Sequence, residues 1–284
     1  MGTYTICDIF LEPVVTCLRN EAKGVESGFH DLDALLGGGF HDGMLYVLAS
    51  RPGMGKSTLA LNMILNMLSH SKKITYFSTE STMNQLLKKM ILISSHIEPG
   101  TVREYSDEEL DAIDHAAAEI AQKQLIINDD TWLEIDDLRE IMRDSAGEGT
   151  DMIIIDYLQL MLATHLLLED YFDSRDDEME YICRSLKALA KELDIPILVL
   201  SQLSKNIESR DDKQPLLSDF IEKTGMDAYA DVVMFLYRDE FYNLDSERRG
   251  IADVNVVKNH LGRQGKCQLI YIPQLMKFVN LVRS

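Results

Sequence analysis

The chain has 284 residues, 46% hydrophobic and 26% charged, with a formal net charge of −19. That length buries a substantial core and makes one large domain the default, while the negative balance excludes broad, sequence-blind attraction to nucleic acid, which draws on a basic surface. No apolar run approaches the roughly 20 residues that cross a bilayer, and MGTYTICDIF lacks the basic flank of a secretory signal, so a cytoplasmic location without a membrane partner is expected.

In chain order, residues 1–24 are the least regular. DIFLEPVVTCLRNEA reads as a short helix in an amino-terminal linker segment, lying either on its own domain or on a neighbouring subunit. From residue 25 onward one domain is expected to run to residue 284. Its strands are MLYVLAS (44–50), KITYFST (73–79), QLIIND (124–129), MIIIDY (152–157) and IPILVLS (195–201), separated by longer helix-compatible stretches. The rhythm predicts repeated βα units around a mainly parallel sheet, an α/β fold. Continuous rather than alternating apolar character fits strands covered on both faces. DVVMFLYR, IADVNVVK, CQLIYIP and MKFVNLV then predict a strand-rich carboxyl-terminal extension. Cys7, Cys17, Cys183 and Cys267 form no CxxC pair and read as reduced core thiols rather than a metal cluster.

The strongest motif is LASRPGMGKSTLALNMILNML, in which an apolar strand enters a Gly-containing turn and a periodic helix begins near Lys56. In that context Ser50, Arg51, Pro52, Gly53, Met54, Gly55, Lys56, Ser57 and Thr58 are candidate nucleotide-binding residues of a P-loop. Backbone N–H groups from Gly53 to Ser57 would wrap the phosphates at a helix amino terminus. Lys56 would reach the β and γ phosphates of ATP, and the Ser57 hydroxyl would ligate Mg²⁺. The first position of the GxxxxGK[ST] pattern is Ser50 instead of glycine.

A metal-bound phosphate needs a carboxylate at a nearby strand end, and Asp156 directly follows the run MIII. It is the Walker B candidate, with a strand-end cap as the plain alternative; Asp151, opening the strand, reads as such a cap. Hydrolysis also needs a group that orients or deprotonates water. Glu80, after KITYFST, is the candidate, expected beside the carboxyl end of the P-loop strand; the plain alternative is a solvated helix-start residue.

RPGMGKSTLALNM, YFSTE, IIIDYLQLM, RSLKALAKELDIPILVLSQLSK, SDF with ADVVMFLYRDE, and VVKNHLGRQGKCQLIYIPQLMKFVNL together resemble the motor domain of DnaB-type replicative DNA helicases, over roughly residues 25–284. The resemblance implies a RecA-like core, a hexameric ring with ATP between neighbours, and movement along single-stranded DNA. It makes Glu80 the catalytic carboxylate and Gln202 the γ-phosphate sensor, where residue type alone suggests an amide satisfying buried backbone. It places Lys205, Arg210 and Lys213 where the family grips the DNA backbone, although a short mixed-charge loop is ordinarily only a solvated surface. It does not extend to the family's primase-contacting amino-terminal domain. A bare motor, an excised fragment and a chain that recruits a helicase loader by another route remain open readings.

Three positions depart from the family pattern. Lys258 matches its trans-acting lysine, but the arginine finger two residues on is His260, with Arg263 three residues further as a stand-in. A trans arginine can be worth roughly a thousandfold in rate, and a mostly neutral histidine is a poor substitute. Ile221 occupies another arginine position. EDYFDSRDDEME, with seven carboxylates and one arginine, falls in a region corresponding to a channel loop, and reads better as a solvated helix start than as a DNA contact. These departures motivate an alternative: a nucleotide-binding interaction protein that joins or blocks another helicase ring with little hydrolysis of its own.

Overall fold

In the computed structural model, residues 24–100, 104–131, 133–163, 172–220 and 225–282 are described. The expected amino-terminal helix, Cys7, Cys17, Ile221 and the first residues of the acidic segment lie outside them. The elements in chain order are α1 (His30–Leu35), β1 (Leu45–Ser50), α2 (Lys56–Ser69), β2 (Ile74–Ser78), α3 (Met83–Ser95), α4 (Asp107–Ala121), β3 (Leu125–Asn128), α5 (Ile135–Gly147), β4 (Met152–Asp156), α6 (Arg175–Leu193), β5 (Ile197–Gln202), α7 (Met226–Tyr229), β6 (Val232–Tyr237), β7 (Ile251–Asn259), β8 (Gly265–Ile272) and β9 (Lys277–Asn280).

The nine strands form one sheet in the order β3-β2-β4-β5-β1-β6-β7-β8-β9. The first six are mutually parallel, and β7 to β9 continue the sheet antiparallel. This is the expected RecA-like arrangement, with a mainly parallel centre and an antiparallel carboxyl-terminal extension. Successive strand residues point to opposite faces, so one continuous apolar run supplies two cores. Tyr46, Leu48, Tyr76, Ile154 and Leu198 join Leu59, Ile64 and Met67 of α2 on one face. Leu45, Val47, Phe77, Ile153 and Val199 join Met142 of α5 and Ile182, Leu186 and Leu189 of α6 on the other. Each fully buried aliphatic or aromatic side chain contributes about 1.5–3 kcal/mol of transfer free energy, and this burial on both faces holds the strand ends in fixed register. Cys183 and Cys267 are buried and form no disulfide, and burial pushes the pKa of the Cys183 thiol well up.

One expectation needs correcting. β2 does not lie beside the P-loop strand: β4 and β5 stand between β1 and β2. In this doubly wound order the crossovers through α2 and α6 place β2 and β5 on opposite sides of β4, and the cleft must span four strand ends.

Candidate nucleotide site

The turn from β1 into α2 is built around Gly53 and Gly55, whose φ values of +81° and +95° lie in the left-handed region that glycine adopts without a Cβ penalty. A Cβ on Gly53 would also come within 2.8 Å of the Phe241 ring. Gly55 caps α2 without a side-chain hydrogen bond, and no acidic residue stands in the first turn. The first N–H groups and the positive end of the helix dipole are therefore directed at the turn, the arrangement that binds phosphate.

A cleft of about 390 Å³ opens over this turn, lined by every predicted P-loop residue except Met54, together with Glu80 and Gln202. Met54 does not line the cleft: it is 1% exposed and belongs to the core below the loop. As an unbranched apolar side chain it anchors the turn from beneath, while its carbonyl accepts a hydrogen bond from Arg238 Nη1 at 3.3 Å. Ser50 Oγ donates to the Arg51 carbonyl at 3.0 Å. The Arg51 side chain, although its residue borders the cleft, turns away from it toward the segment after β5, donating to Glu208 and to the Leu203 carbonyl.

The carboxylates are set by adjacent strands. Ser78 of β2 pairs with Asp156 of β4, and Thr79 staples the two strand ends, its N–H donating to the Asp156 carbonyl at 2.8 Å and its Oγ1 accepting from the Tyr157 N–H at 3.2 Å. Glu80 then projects into the cleft from a turn fixed by Ser78 Oγ donating to the Ser81 carbonyl at 2.7 Å and by the Thr82 capping box that starts α3. Asp156 is 4% exposed; Tyr76 Oη donates to its Oδ2 at 2.8 Å, and its Oδ1 is buried with no hydrogen-bond partner. A buried unpartnered carboxylate oxygen costs about 1–3 kcal/mol or more, and a cation at this oxygen would relieve it. That orphaned atom, with Ser57 on the cleft wall, fits a magnesium ion, which is characteristically held by one or two protein oxygens and the phosphates of its substrate.

Burial lowers the ammonium pKa of Lys56, opposed by the charges of Asp156 and Glu80. Its Nζ lies 5.1 Å from the centroid of the Tyr157 ring. Tyr157 and Tyr271 also line the cleft. Arg238 lies over the Tyr271 ring at 4.3 Å and pairs with Glu240 at 3.0 Å. Tyr157, Tyr271 and Thr79 were not singled out from the sequence, although the quoted segments IIIDYLQLM, CQLIYIP and KITYFST contain them.

The cleft thus joins a glycine turn at a helix start to Glu80, with the buried, unpartnered Asp156 Oδ1 close by, and the profile of the DnaB-like helicase C terminal domain matches residues 24–280. The chain belongs to that family. It is 36% identical to the replicative DNA helicase DnaB of Geobacillus stearothermophilus over 267 residues, which are 93% of this chain and 58% of that relative. The chain thus spans less than two thirds of the relative's length. Among solved structures, an isolated ATPase domain superimposes with a TM-score of 0.90 at 30% identity, covering 99% of this chain and 100% of that one. A DnaB-like replicative helicase, described with its interactions with primase, gives 0.89 at 31% identity over 97% of this chain and 68% of that one.

Apart from Gln202, the remaining family positions lie outside the cleft. Lys205 is exposed, at the start of a 3-10 turn (Lys205–Ser209) just beyond Gln202. Arg210 instead grips Asp219 with two hydrogen bonds of 2.9 and 2.8 Å, and Lys213 Nζ caps the carbonyls of Glu208 and Arg210. Gln202 receives its own backbone support from Gln159, whose Oε1 accepts from the Gln202 N–H at 3.2 Å while its Nε2 donates to Ser201 Oγ at 2.9 Å.

Lys258 Nζ donates to the Asp227 carbonyl at 2.8 Å, and His260 Nδ1 stands 3.5 Å from Asp231, which also pairs with Lys187 at 2.6 Å. Arg263 is exposed on the β7–β8 connection. β7 runs antiparallel, pairing Asn259 with Val232, and Val232 in turn pairs with Tyr46 near the start of β1, whereas the cleft opens beyond Ser50 at its end. Lys258, His260 and Arg263 therefore sit at the opposite edge of the sheet from this chain's own cleft. In the acidic segment, α6 starts at Arg175 after a Ser174 cap, with Asp176, Asp177 and Glu178 in its first turn. Glu178 is buried, accepts from the Ala163 N–H and pairs with Arg175, whose guanidinium also holds the Gln159 and Met161 carbonyls. The helix-start reading fits the described part, with Glu178 structural rather than solvated. Among the described residues no helix is long and apolar enough to cross a membrane.

Proposed function

We propose that this chain is the motor of a DNA helicase, coupling ATP hydrolysis to movement on single-stranded DNA and to duplex separation. The observation that carries the reading is the convergence of Lys56, Glu80 and Gln202 on one cleft, with the unpartnered Oδ1 of Asp156 behind it. In this reading the N–H groups from Gly53 to Ser57 hold the triphosphate, and Lys56 neutralises charge that spreads over the γ-phosphoryl oxygens as the bond to the β-phosphate breaks. Glu80 orients a water in line with that bond and accepts its proton; ADP and phosphate leave. Ser57 and Asp156 would hold a magnesium ion, which would supply charge neutralisation to the phosphates. Gln202 contacts the γ-phosphate and relays its presence to Lys205.

The placement of Lys258, His260 and Arg263 far from their own cleft supports an assembly in which they face the cleft of a neighbouring copy, as in a hexameric ring. Six copies of Lys205 around a channel would give a local positive lining on a chain whose net charge is −19, and a sequence-independent, salt-sensitive grip on phosphates. The alternative of a non-hydrolysing ring partner is not favoured, since the relatives matched are named replicative helicases.

The test is ATP turnover by the assembled chain with and without single-stranded DNA, beside Glu80→Gln. The expectation is stimulation by DNA, and a roughly 10²–10⁴-fold loss of turnover in the variant with ATP binding retained. Turnover indifferent both to DNA and to Glu80→Gln would overturn the proposal.

A further inference from the structure

Ser50 and Arg51, the first two residues of the P-loop, grip the segment after β5 at three points. The Leu203 N–H donates to the Ser50 carbonyl at 3.0 Å. Arg51 Nη1 donates to the Leu203 carbonyl at 2.7 Å, so both backbone groups of Leu203 are held by the P-loop. Arg51 Nε and Nη2 both reach Glu208 Oε1, at 3.1 and 2.5 Å. The Arg51 side chain is 8% exposed and the Glu208 side chain 50% exposed, so Arg51 is the buried end of the pair and Glu208 the solvent-facing end.

The segment that Arg51 grips is a closed loop. Leu203 bridges Phe220 at its neck, and the Ser204 N–H donates to the Asp219 carbonyl at 2.7 Å. Arg210 spans the interior to Asp219, and Lys213 binds the Glu208 and Arg210 carbonyls. These bonds tie the loop together internally, and it carries Lys205 three residues before Glu208.

We infer that Arg51 and Glu208 form a second link between nucleotide and DNA, parallel to Gln202, in which Glu208 is a positioning residue that sets Lys205 for a phosphodiester backbone. When the P-loop tightens on a triphosphate, the shift at Arg51 is passed through Glu208 to the loop. Because a planar guanidinium placing two donors on one oxygen transmits direction as well as charge, the loop takes a different position in each nucleotide state. The inference rests on the motor reading proposed above.

The test measures affinity of the full chain for a fluorescent single-stranded oligonucleotide with and without a non-hydrolysable ATP analogue. In the wild type the two affinities should differ by a factor within the usual range for coupled sites, about 5–150-fold. Glu208→Ala should bring that ratio close to one, while leaving ATP binding and DNA affinity without nucleotide within about twofold of the wild type. Glu208→Gln, which keeps an oxygen acceptor for Arg51, should restore part of the ratio. Lys205→Ala serves as the contrast: it should weaken DNA binding in both states and preserve the ratio. A Glu208→Ala ratio equal to that of a coupled wild type overturns the relay and leaves the motor reading standing. A wild type whose DNA affinity and ATP turnover both ignore the other ligand overturns the motor reading and the relay with it.

Discussion

Tyr76→Phe isolates the support of the proposed metal ligand. The change deletes one buried oxygen and keeps the ring, which is 1% exposed in the core between β2 and α2. The lost interaction is the 2.8 Å bond from Tyr76 Oη to Asp156 Oδ2, and a hydrogen bond to a charged group is worth about 1.5–3 kcal/mol. At about 1.4 kcal/mol per decade, this corresponds to roughly one to two orders of magnitude in affinity if the whole effect falls on the ion. Removal of partners that orient metal ligands typically costs about 10–100-fold, which agrees. Part of the loss is offset because the buried phenol no longer has to be desolvated, and the predicted fall in folding stability is therefore smaller, about 1 kcal/mol. The assay is ATP turnover against free magnesium, with nucleotide binding in chelator and a thermal melt as controls. The half-saturating magnesium concentration should rise about 10–100-fold, and nucleotide binding without metal should not change. An unchanged magnesium requirement in a protein that binds nucleotide normally would refute the role of Tyr76 and weaken that of Asp156.

Two further outcomes follow from the buried ion pairs. Arg210→Ala should lower stability by about 1–3 kcal/mol, because it leaves the buried Asp219 carboxylate without its bidentate partner; Lys205→Ala should leave the melting curve unchanged. An Arg210→Ala protein that melts normally yet fails to bind DNA would show that this guanidinium faces nucleic acid instead. Asp253, 1% exposed on β7, is pushed up by burial, but the hydrogen bonds from Arg248 and Gln268 and the charge of Lys266 outweigh this and hold its pKa below the usual aspartate value. A lowered folded-state value means that its contribution to stability is complete above about pH 4 and is lost as pH falls through that lowered value. Asp253→Asn should therefore be less stable at neutral pH and should show a shallower loss of stability with acid, read from denaturant unfolding at several pH values; parallel wild-type and variant curves would contradict the assignment.

The local features of the site were legible in the sequence. A strand, a glycine turn and a helix starting at Lys56 are encoded within some twenty consecutive residues, and the phosphate-binding geometry follows from backbone conformation and the helix dipole. Asp156 and Glu80 were legible as carboxylates at the ends of apolar runs, since a run covered on both faces needs no partner to declare itself a strand. The order of those strands was not, because it depends on which face each crossover helix covers, and two strands intervene between Glu80 and the P-loop strand. Nor did residue type reveal what each polar group does: Arg51 leaves the cleft for Glu208, Arg210 closes a loop on Asp219, Met54 anchors the turn from below, and Tyr76 supports Asp156 from eighty residues away. Hydrogen bonds of this kind join segments distant in the chain, and their partners exist only once the sheet has set its register. Sequence periodicity and spacing determined the elements and the glycine turn; long-range packing alone decided which side chains meet there.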